Sequence, residues 1–180
     1  MARPADATGL RLAKLCGLRL EDLHFGHGPL GKIHVRLGKG SRGSGPRERM
    51  VPMLGDARPL LIWWVQDVRG QFADDWELPR AVLFPSERGG PIGGDTFARA
   101  LADAAAAHLR GPVTKLTPHV LRHACASRLY GEGIGLAAIQ QLLGHRWLST
   151  TVRYVHVADE AIENAYQQAA ERAAARFKEV

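Results

Sequence analysis

The sequence is poor in cysteine and has no long hydrophobic run. Only two cysteines, Cys16 and Cys125, occur in 180 residues, and they lie far apart, so a framework of disulfide bonds is not expected. No stretch approaches the roughly 18 consecutive apolar residues of a membrane-spanning helix. The N-terminal segment also lacks the apolar core of a secretory signal peptide. We therefore expect a cytoplasmic protein that is not inserted in a membrane.

Recognisable metal-ligand patterns are also missing. His119 and His123 are four positions apart, a spacing that can hold zinc on one face of a helix, but Val120 stands where a zinc protease has its glutamate. No cysteine or carboxylate lies at ligand spacing from this pair. We therefore expect no bound metal at this pair, and we interpret His123 as a packed or hydrogen-bonded structural histidine.

What the sequence does contain is enough apolar material for a core and an excess of positive charge. Hydrophobic residues make up 46% of the chain, and 24 Lys and Arg outnumber 18 Asp and Glu, for a net charge of +6 and a pI near 9.8. The length suits one domain over residues 1–180. A basic balance favours a nucleic-acid partner without proving one, since many basic proteins bind none.

Much of this positive charge falls in a predicted β-hairpin over residues 32–52. Ile33, Val35 and Leu37 alternate with polar residues, as in a strand with one buried face, and a Gly-rich turn follows. The segment carries six basic residues against the single acid Glu48: Lys32, Arg36, Lys39, Arg42, Arg47 and Arg49. Such a hairpin is a good contact for the DNA backbone. The alternative is a hairpin made basic for solubility alone.

Apolar periodicity and capping residues predict helices through the rest of the chain. The predicted ranges are 8–16, 54–72, about 95–109, from 118 to about 131, 136–143, from a cap at 149, and 158–177. Trp63 and Trp64 in the second helix are expected in the core, although stacking on bases is an alternative. Gly144 should end the helix over 136–143 and leave His145 exposed.

Residues 117–155 carry the densest group of chemically active side chains. His119 and Arg122 are three positions apart on a helix that begins at Pro118, His145 follows a helix end, and Tyr154 closes the segment. An arginine offers a planar fork of donors to phosphate oxygens. Imidazoles move protons near neutral pH, and a tyrosine hydroxyl can be a covalent nucleophile. These residue types suit work on a phosphodiester.

The same segment carries three motifs in a fixed order, namely H-x-L-R-H from His119, L-L-G-H ending at His145, and S-T-T-x-x-Y ending at Tyr154. With T-G-L-R ending at Arg11, they make the chain resemble the tyrosine recombinases, also called the phage integrase family, from about residue 7 to about residue 165. The resemblance implies an α+β fold that is mainly helical, with a small antiparallel sheet. It also implies a site-specific DNA recombinase or integrase that cuts and rejoins strands through a 3′-phosphotyrosine, without a metal or a high-energy cofactor, so that no cofactor is expected.

By this resemblance, six residues of the chain are expected to be catalytic: Arg11, Lys39, His119, Arg122, His145 and Tyr154. The two arginines should clamp the non-bridging oxygens of the scissile phosphate, and His145 should donate a further hydrogen bond to them.

The remaining three of these residues are implied to move protons or to attack. His119 should accept the proton of the Tyr154 hydroxyl, and Lys39 should protonate the departing 5′-oxygen. One position departs from the family pattern, because Lys14 stands three residues after Arg11 where the family usually has a carboxylate. A cation there cannot orient the Arg11 guanidinium as a carboxylate would.

The resemblance further implies double-stranded DNA at a specific recombination site as partner, and a homo-oligomer on that DNA. The family's N-terminal DNA-clamping domain is expected to be absent from this chain, as is the helix that normally precedes Arg11. The C-terminal tail, residues 158–180, is expected to pack on its own core or to dock on a neighbouring subunit. Two alternatives remain open: a DNA-binding module without catalysis that uses a helix-turn-helix around residues 133–143, and a truncated interaction partner of a full-length recombinase.

Overall fold

The computed structural model of the protein describes residues 1–36, 48–72, 76–109, 116–145 and 148–152. The chain forms two compact units, Met1–Cys125 and Ala126–Val180. The predicted residues Lys39, Arg42, Arg47 and Tyr154, the tip of the predicted hairpin and the predicted C-terminal helix lie outside the described residues.

Two short helices, rather than the one predicted over residues 8–16, open the first unit. Helix α1 spans Ala2–Thr8 and helix α2 spans Leu12–Cys16. Gly9 ends α1 in the left-handed conformation, with φ 59° and ψ 21°, and its N–H bonds the Ala5 carbonyl. Thr8 therefore ends a helix instead of starting one, and its hydroxyl donates to the Pro4 carbonyl at 2.6 Å. The expectation that no helix precedes Arg11 was wrong.

The predicted strands of the hairpin are confirmed within a three-stranded antiparallel sheet. Strand β1 spans Leu23–His24, β2 spans Lys32–Val35 and β3 spans Arg49–Pro52, in the order β1-β2-β3. In the β2–β3 register Ile33 faces Val51 and Val35 faces Arg49. Since side chains alternate between the two faces of a strand, Arg49 lies on the same face as these three buried aliphatic residues.

The predicted helix over residues 54–72 changes its winding along its length. Helix α3 spans Ala57–Trp63, a π-helical turn continues over Trp64–Val68, and a 3-10 turn ends at Gln71. Neither tryptophan is fully buried as predicted: Trp64 is half-buried and Trp63 is exposed, because neighbours on a helix point about 100° apart. The Trp64 indole donates to the Leu83 carbonyl at 2.8 Å, whereas Trp63 is 53% exposed.

Helix α4 spans Gly94–His108 and starts from Gly93, slightly before the predicted cap at residue 95 or 96. It buries Phe97, Leu101 and Ala105, one residue every four positions, which is the stripe expected of a helix with one face in the core. Helix α4 contacts α2, which carries Lys14 one turn after Arg11. The first unit therefore holds the Arg11 segment against its own core.

Three further helices follow. Helix α5 spans Pro118–Gly131, across the boundary of the two units, and α6 spans Leu136–Leu143, both as predicted. Helix α7 spans Leu148–Val152 and contacts α6; it begins one residue before Ser149, which therefore lies inside its first turn and is not the predicted cap. No helix in the described ranges is long and apolar enough to cross a membrane. The predicted fold class, mainly helical with a small antiparallel sheet, is confirmed.

Candidate active site

Arg122 is anchored beside the segment that carries Arg11. It lies on α5, is only 3% exposed, and donates from a terminal guanidinium nitrogen to the carbonyl of Gly9. One turn later on α5, the Cys125 thiol lies 3.8 Å from the carbonyl of Ala7. Carbonyl groups at a helix C-terminus carry partial negative charge, which favours a cation there. The end of α1 thus anchors Arg122 at Gly9, a residue that lies two positions before Arg11 in the sequence.

Arg11 itself sits at the junction before α2. It is the residue that caps α2, with φ −63° and ψ 143°, and its carbonyl accepts hydrogen bonds from the amides of Lys14 at 2.8 Å and Leu15 at 3.0 Å. These bonds fix the backbone of Arg11 at the helix start, while its side chain is exposed. A rigid backbone with an exposed guanidinium is well suited to contact a phosphate.

Two more cations lie close to Arg11. Burial lowers the pKa of Lys14, and the positive charges of Arg49 and Arg11 lower it further. Burial likewise lowers the pKa of Arg49, with Arg11 as a second cause. We call Arg11, Lys14 and Arg49 the cation cluster. Mutual repulsion among like charges is relieved when an anion binds, so this cluster favours a ligand such as a phosphodiester.

Lys14, which stands where the family usually has a carboxylate, binds a backbone carbonyl of the hairpin. Its ammonium group donates to the backbone carbonyl of Arg36 at 2.9 Å. Arg36 is the last described residue before the predicted hairpin turn, residues 38–46, which contains Lys39. Lys14 therefore ties α2 to the base of the hairpin while adding positive charge next to Arg11.

Arg36 was predicted to contact DNA, and the structure places it in an ion-pair network. Its Nε donates to Asp22 at 2.6 Å, and a terminal nitrogen donates to Glu21. The Glu21 hydrogen bond is the first cause of a raised pKa of Arg36, and the same bond lowers the pKa of Glu21. Two carboxylates thus compensate the charge of Arg36, which leaves less of it for a DNA phosphate.

The other described hairpin residues lie on both faces of the sheet. Lys32 and His34 share the face opposite the core, and the His34 ring lies 3.2 Å from the Glu48 carboxylate and 3.8 Å from that of Asp22. Arg49 lies on the inner face and belongs to the cation cluster. Apart from Arg36, the hairpin therefore divides its described basic residues between an outer position, Lys32, and an inner one, Arg49.

His119 lies on the first turn of α5 and is exposed. Its ring meets the ring of His123 edge to face, with centroids 4.7 Å apart. The amide of Val120 donates to the Thr117 hydroxyl at 3.2 Å, which caps the start of this helix. His123 is half-buried and touches His119, consistent with the structural role predicted for it. Thr117 therefore caps the turn that carries His119, and His123 contacts the exposed imidazole of His119 from one side.

His145 lies in the second unit, and its predicted exposure was wrong, because it is only 7% exposed. Gly144 adopts the left-handed conformation, with φ 66° and ψ 45°. The amide of His145 then donates back to the Gln140 carbonyl at 3.0 Å, and the Gln140 side chain donates to the His145 carbonyl at 3.2 Å. This closure of α6 folds the residue after the glycine inward.

The imidazole of His145 meets a buried hydroxyl. Its Nδ1 lies 2.9 Å from the Oγ of Thr151 on α7, and Thr151 is fully buried. The sequence showed Thr151 only as part of the S-T-T motif and predicted no hydrogen-bond partner for its side chain. The structure gives it one, the buried ring of His145.

Comparisons with known proteins identify the family of this chain. Residues 2–161 match the model of the phage integrase family. The chain belongs to the phage integrase family. Tyrosine recombinase XerD of Yersinia pestis is 36% identical over 166 residues, which are 90% of this chain and 50% of that protein. Tyrosine recombinase XerC of Corynebacterium glutamicum is 38% identical over 167 residues, or 93% and 49%.

Solved structures of integrase-family proteins share the fold. The crystal structure of XerA recombinase matches with a TM-score of 0.70 at 31% identity, covering 91% of this chain and 53% of that one. XerH recombinase bound to a palindromic difH substrate matches with a TM-score of 0.69 at 24% identity, covering 92% and 43%, which is a likeness of fold. The chain spans about half the length of the curated relatives that it matches.

The candidate catalytic residues that the structure describes are divided between the two units. The first unit holds Arg11, His119 and Arg122, together with the other two members of the cation cluster, and the second unit holds His145. Across the described ranges, no three His, Cys, Asp or Glu side chains cluster in a way that could hold a metal ion. Sequence analysis missed the Gly9 carbonyl and the Thr151 hydroxyl, although both lie inside motifs that it used.

Proposed function

We propose that this chain is the catalytic domain of a site-specific DNA recombinase, which cuts and rejoins DNA strands through a 3′-phosphotyrosine intermediate. Family membership supports the reaction class. The observation that carries the proposal is the bond from Arg122 to the Gly9 carbonyl. It holds a buried arginine of the H-x-L-R-H motif beside the exposed arginine of the T-G-L-R motif, as two clamps on one phosphate require.

In the proposed reaction, Arg11 and Arg122 bind the two non-bridging oxygens of the scissile phosphate. Charge builds on these oxygens in the pentacoordinate transition state, and fixed donors stabilise it more than they stabilise the ground state. His145 donates a further hydrogen bond to the same oxygens. Lys14 and Arg49 raise the local positive potential, which favours binding of the phosphate backbone before the chemical step.

Tyr154 is the proposed nucleophile. An unperturbed tyrosine hydroxyl, with a pKa of about 10, is mostly neutral at pH 7, so it needs a base, and His119 is exposed and able to serve. The new bond joins the tyrosine oxygen to phosphorus, and the bond to the 5′-oxygen breaks. Lys39 supplies the proton to that leaving oxygen. Rejoining reverses these steps on a second 5′-hydroxyl, so the reaction conserves bond energy and needs no nucleotide cofactor.

The proposed partner is double-stranded DNA at a specific recombination site, bound by a homo-oligomer of the protein. XerH was solved on a difH substrate and lambda integrase as a dimer on a core site, which supports this choice. Lys32, Arg42, Arg47 and Arg49 are proposed to contact the DNA backbone. Arg36 is proposed to do so more weakly, because Glu21 and Asp22 already pair with it.

The decisive experiment uses a nicked suicide duplex, which traps the covalent intermediate because the short cleaved strand diffuses away. We expect the protein to form an adduct with a dif-type site that survives denaturation and the removal of divalent ions with EDTA. Tyr154→Phe should abolish the adduct, since a phenyl ring has no nucleophilic oxygen, and should leave DNA binding largely unchanged. Denaturing gels measure the adduct and gel shifts measure binding.

Tyr130, the other tyrosine near the H-x-L-R-H motif, provides the matched control, and Tyr130→Phe should retain the adduct. An adduct that persists in Tyr154→Phe, or that needs a divalent ion, would contradict the proposed mechanism. Binding to DNA without any adduct in the unaltered protein would favour the non-catalytic DNA-binding module instead.

A further inference from the structure

The contact between His145 and Thr151 has a chemical consequence beyond packing. The Nδ1 of the ring and the Oγ of the hydroxyl lie 2.9 Å apart, and both residues are buried. A neutral imidazole carries one N–H and one bare nitrogen, and a threonine hydroxyl can donate or accept. One proton therefore lies between the two atoms. Whether it is bonded to Nδ1 or to the hydroxyl oxygen decides the tautomer of the ring.

Two arrangements satisfy the distance. If Nδ1 carries the proton and donates to Thr151, the Nε2 atom is a bare acceptor. If the Thr151 hydroxyl donates to a bare Nδ1, the proton of the ring sits on Nε2 and can be donated outward. Phosphate oxygens only accept hydrogen bonds, so only the second arrangement lets a neutral His145 bind one.

We propose that Thr151 is a positioning residue that holds His145 in the tautomer with its proton on Nε2, so that the ring donates to the scissile phosphate while neutral. This inference rests on the proposed function and adds a role for the last threonine of the S-T-T motif. The hydroxyl is fixed for this task, because Thr151 is fully buried on α7 and α7 contacts α6.

The Nδ1 atom of His145 contacts a neutral group. Helix α6, Leu136–Leu143, and helix α7, Leu148–Val152, contain no titratable side chain. At the end of α5, Arg128 and Glu132 bond each other at 3.1 Å. The Nδ1 atom therefore has the hydroxyl of Thr151, and not a charged group of α6 or α7, at hydrogen-bond distance.

The direct test is nitrogen NMR on the full chain labelled with ¹⁵N-histidine, without DNA, at a pH where histidines are neutral. Long-range proton–nitrogen correlations distinguish the two tautomers, and the spectrum of His145→Gln identifies the signals of His145 among the eight histidines. We expect the Nε2-protonated form in the unaltered protein and in Thr151→Ser, which keeps the hydroxyl. Thr151→Val, which replaces it with a methyl group, should give a mixture or the opposite tautomer.

The kinetic test follows cleavage of the suicide duplex between pH 6 and pH 8. We expect Thr151→Val to be about tenfold slower than the unaltered protein at pH 8 but only about twofold slower at pH 6, because a protonated ring donates from Nε2 without help. Thr151→Ser should restore most of the rate. Dividing each variant's rate by that of the unaltered protein cancels the pH effects that both proteins share.

Ser149→Ala serves as the matched control, since it removes an exposed hydroxyl from the same helix, and it should change neither tautomer nor pH profile. The same tautomer in Thr151→Val as in the unaltered protein would overturn the inference, as would a rate ratio that does not change with pH. Because the NMR measurement needs no DNA, failure of the recombinase function would show separately, as an absence of adduct with the tautomer still set by Thr151.

Discussion

Two helix ends position Arg122 and His145 respectively, and each helix ends in a left-handed glycine. Gly9 ends α1 with φ 59°, and its carbonyl receives the guanidinium of Arg122. Gly144 ends α6 with φ 66°, and the next residue, His145, turns inward to Thr151. The first glycine exposes a backbone acceptor to a charged group, whereas the second redirects the chain so that a neutral ring meets a neutral hydroxyl.

The difference between these two ends follows from the side chains that they hold. A guanidinium is always charged and can donate through five N–H groups to several acceptors at once. An imidazole has one proton to place, so its partner decides whether it can donate at all. The carbonyl of Gly9 therefore fixes the position of the charged Arg122, whereas the partner of His145 decides which ring nitrogen carries the proton.

The largest effect is expected from removing the charged anchor. Arg122→Ala should slow cleavage about a thousandfold through loss of transition-state stabilisation. It should also lower the free energy of unfolding by about 1–3 kcal/mol, because the buried Gly9 carbonyl loses its donor. Arg122→Lys keeps the charge without the planar fork and should recover part of the stability but little of the rate. Suicide-duplex cleavage and thermal melting measure the two effects.

Arg128→Ala is the control for this prediction, because it removes an exposed arginine of the same helix that pairs with Glu132 at 3.1 Å. An exposed pair contributes about 0–1 kcal/mol, so melting and cleavage should stay close to those of the unaltered protein. If Arg122→Ala cleaves within a few-fold of the unaltered protein, the role assigned to Arg122 and its anchor at Gly9 is wrong.

An intermediate effect is expected at the two glycines. Gly9→Ala and Gly144→Ala should each cost about 1 kcal/mol, since a Cβ is disfavoured in the left-handed region, and thermal melting should fall by about 2–4 °C. Each should also slow cleavage by about tenfold, because the Arg122 acceptor or the His145 ring moves.

Gly55→Ala separates strain from site geometry. Gly55 also has positive φ, at 55°, but a Cβ there would meet no atom within 4 Å. It should show the drop in melting temperature without the loss of cleavage. Equal rate losses in all three variants would mean that the glycines act through general stability, and the comparison between the two helix ends would lose its functional content.

The smallest effect is expected at Lys14, which adds charge beside the first arginine. Its pKa in the folded protein lies below the ordinary value of 10.5, because of burial and the charges of Arg49 and Arg11. Between these two pKa values the unfolded chain binds more protons than the folded one, so the free energy of unfolding rises with pH across that window. Lys14→Met lacks this rise, and its DNA affinity should depend less on salt, by about one unit of slope.

Chemical unfolding at a series of alkaline pH values, relative to Lys14→Met, measures the linkage, and gel shifts at several salt concentrations measure the slope. Lys14→Arg keeps a full charge throughout and should show the salt slope of the unaltered protein without the alkaline rise. A parallel pH dependence in the unaltered protein and Lys14→Met would remove Lys14 from the cation cluster.

Motif order predicted the family and the fold class, both of which were found, and it supplied the candidate site residues of this chain. Pro118 at a helix start, the alternation of Ile33 and Val35, and Gly144 after an apolar run are local patterns, and the elements that they predicted were found. The same kind of reasoning failed at Thr8–Gly9, where threonine can begin a helix and glycine can end one. Local propensity does not choose between these until the neighbouring segments pack.

Tertiary structure alone decided what each site residue bonds to. No spacing in the sequence links Arg122 to the carbonyl of Gly9, 113 positions earlier, or assigns two carboxylates to Arg36. Nor does a motif say that His145 is buried or that Thr151 faces its ring. Side-chain identity is written in the sequence, but the partner of a buried polar group depends on which donors and acceptors folding brings within about 3 Å, where water no longer satisfies them.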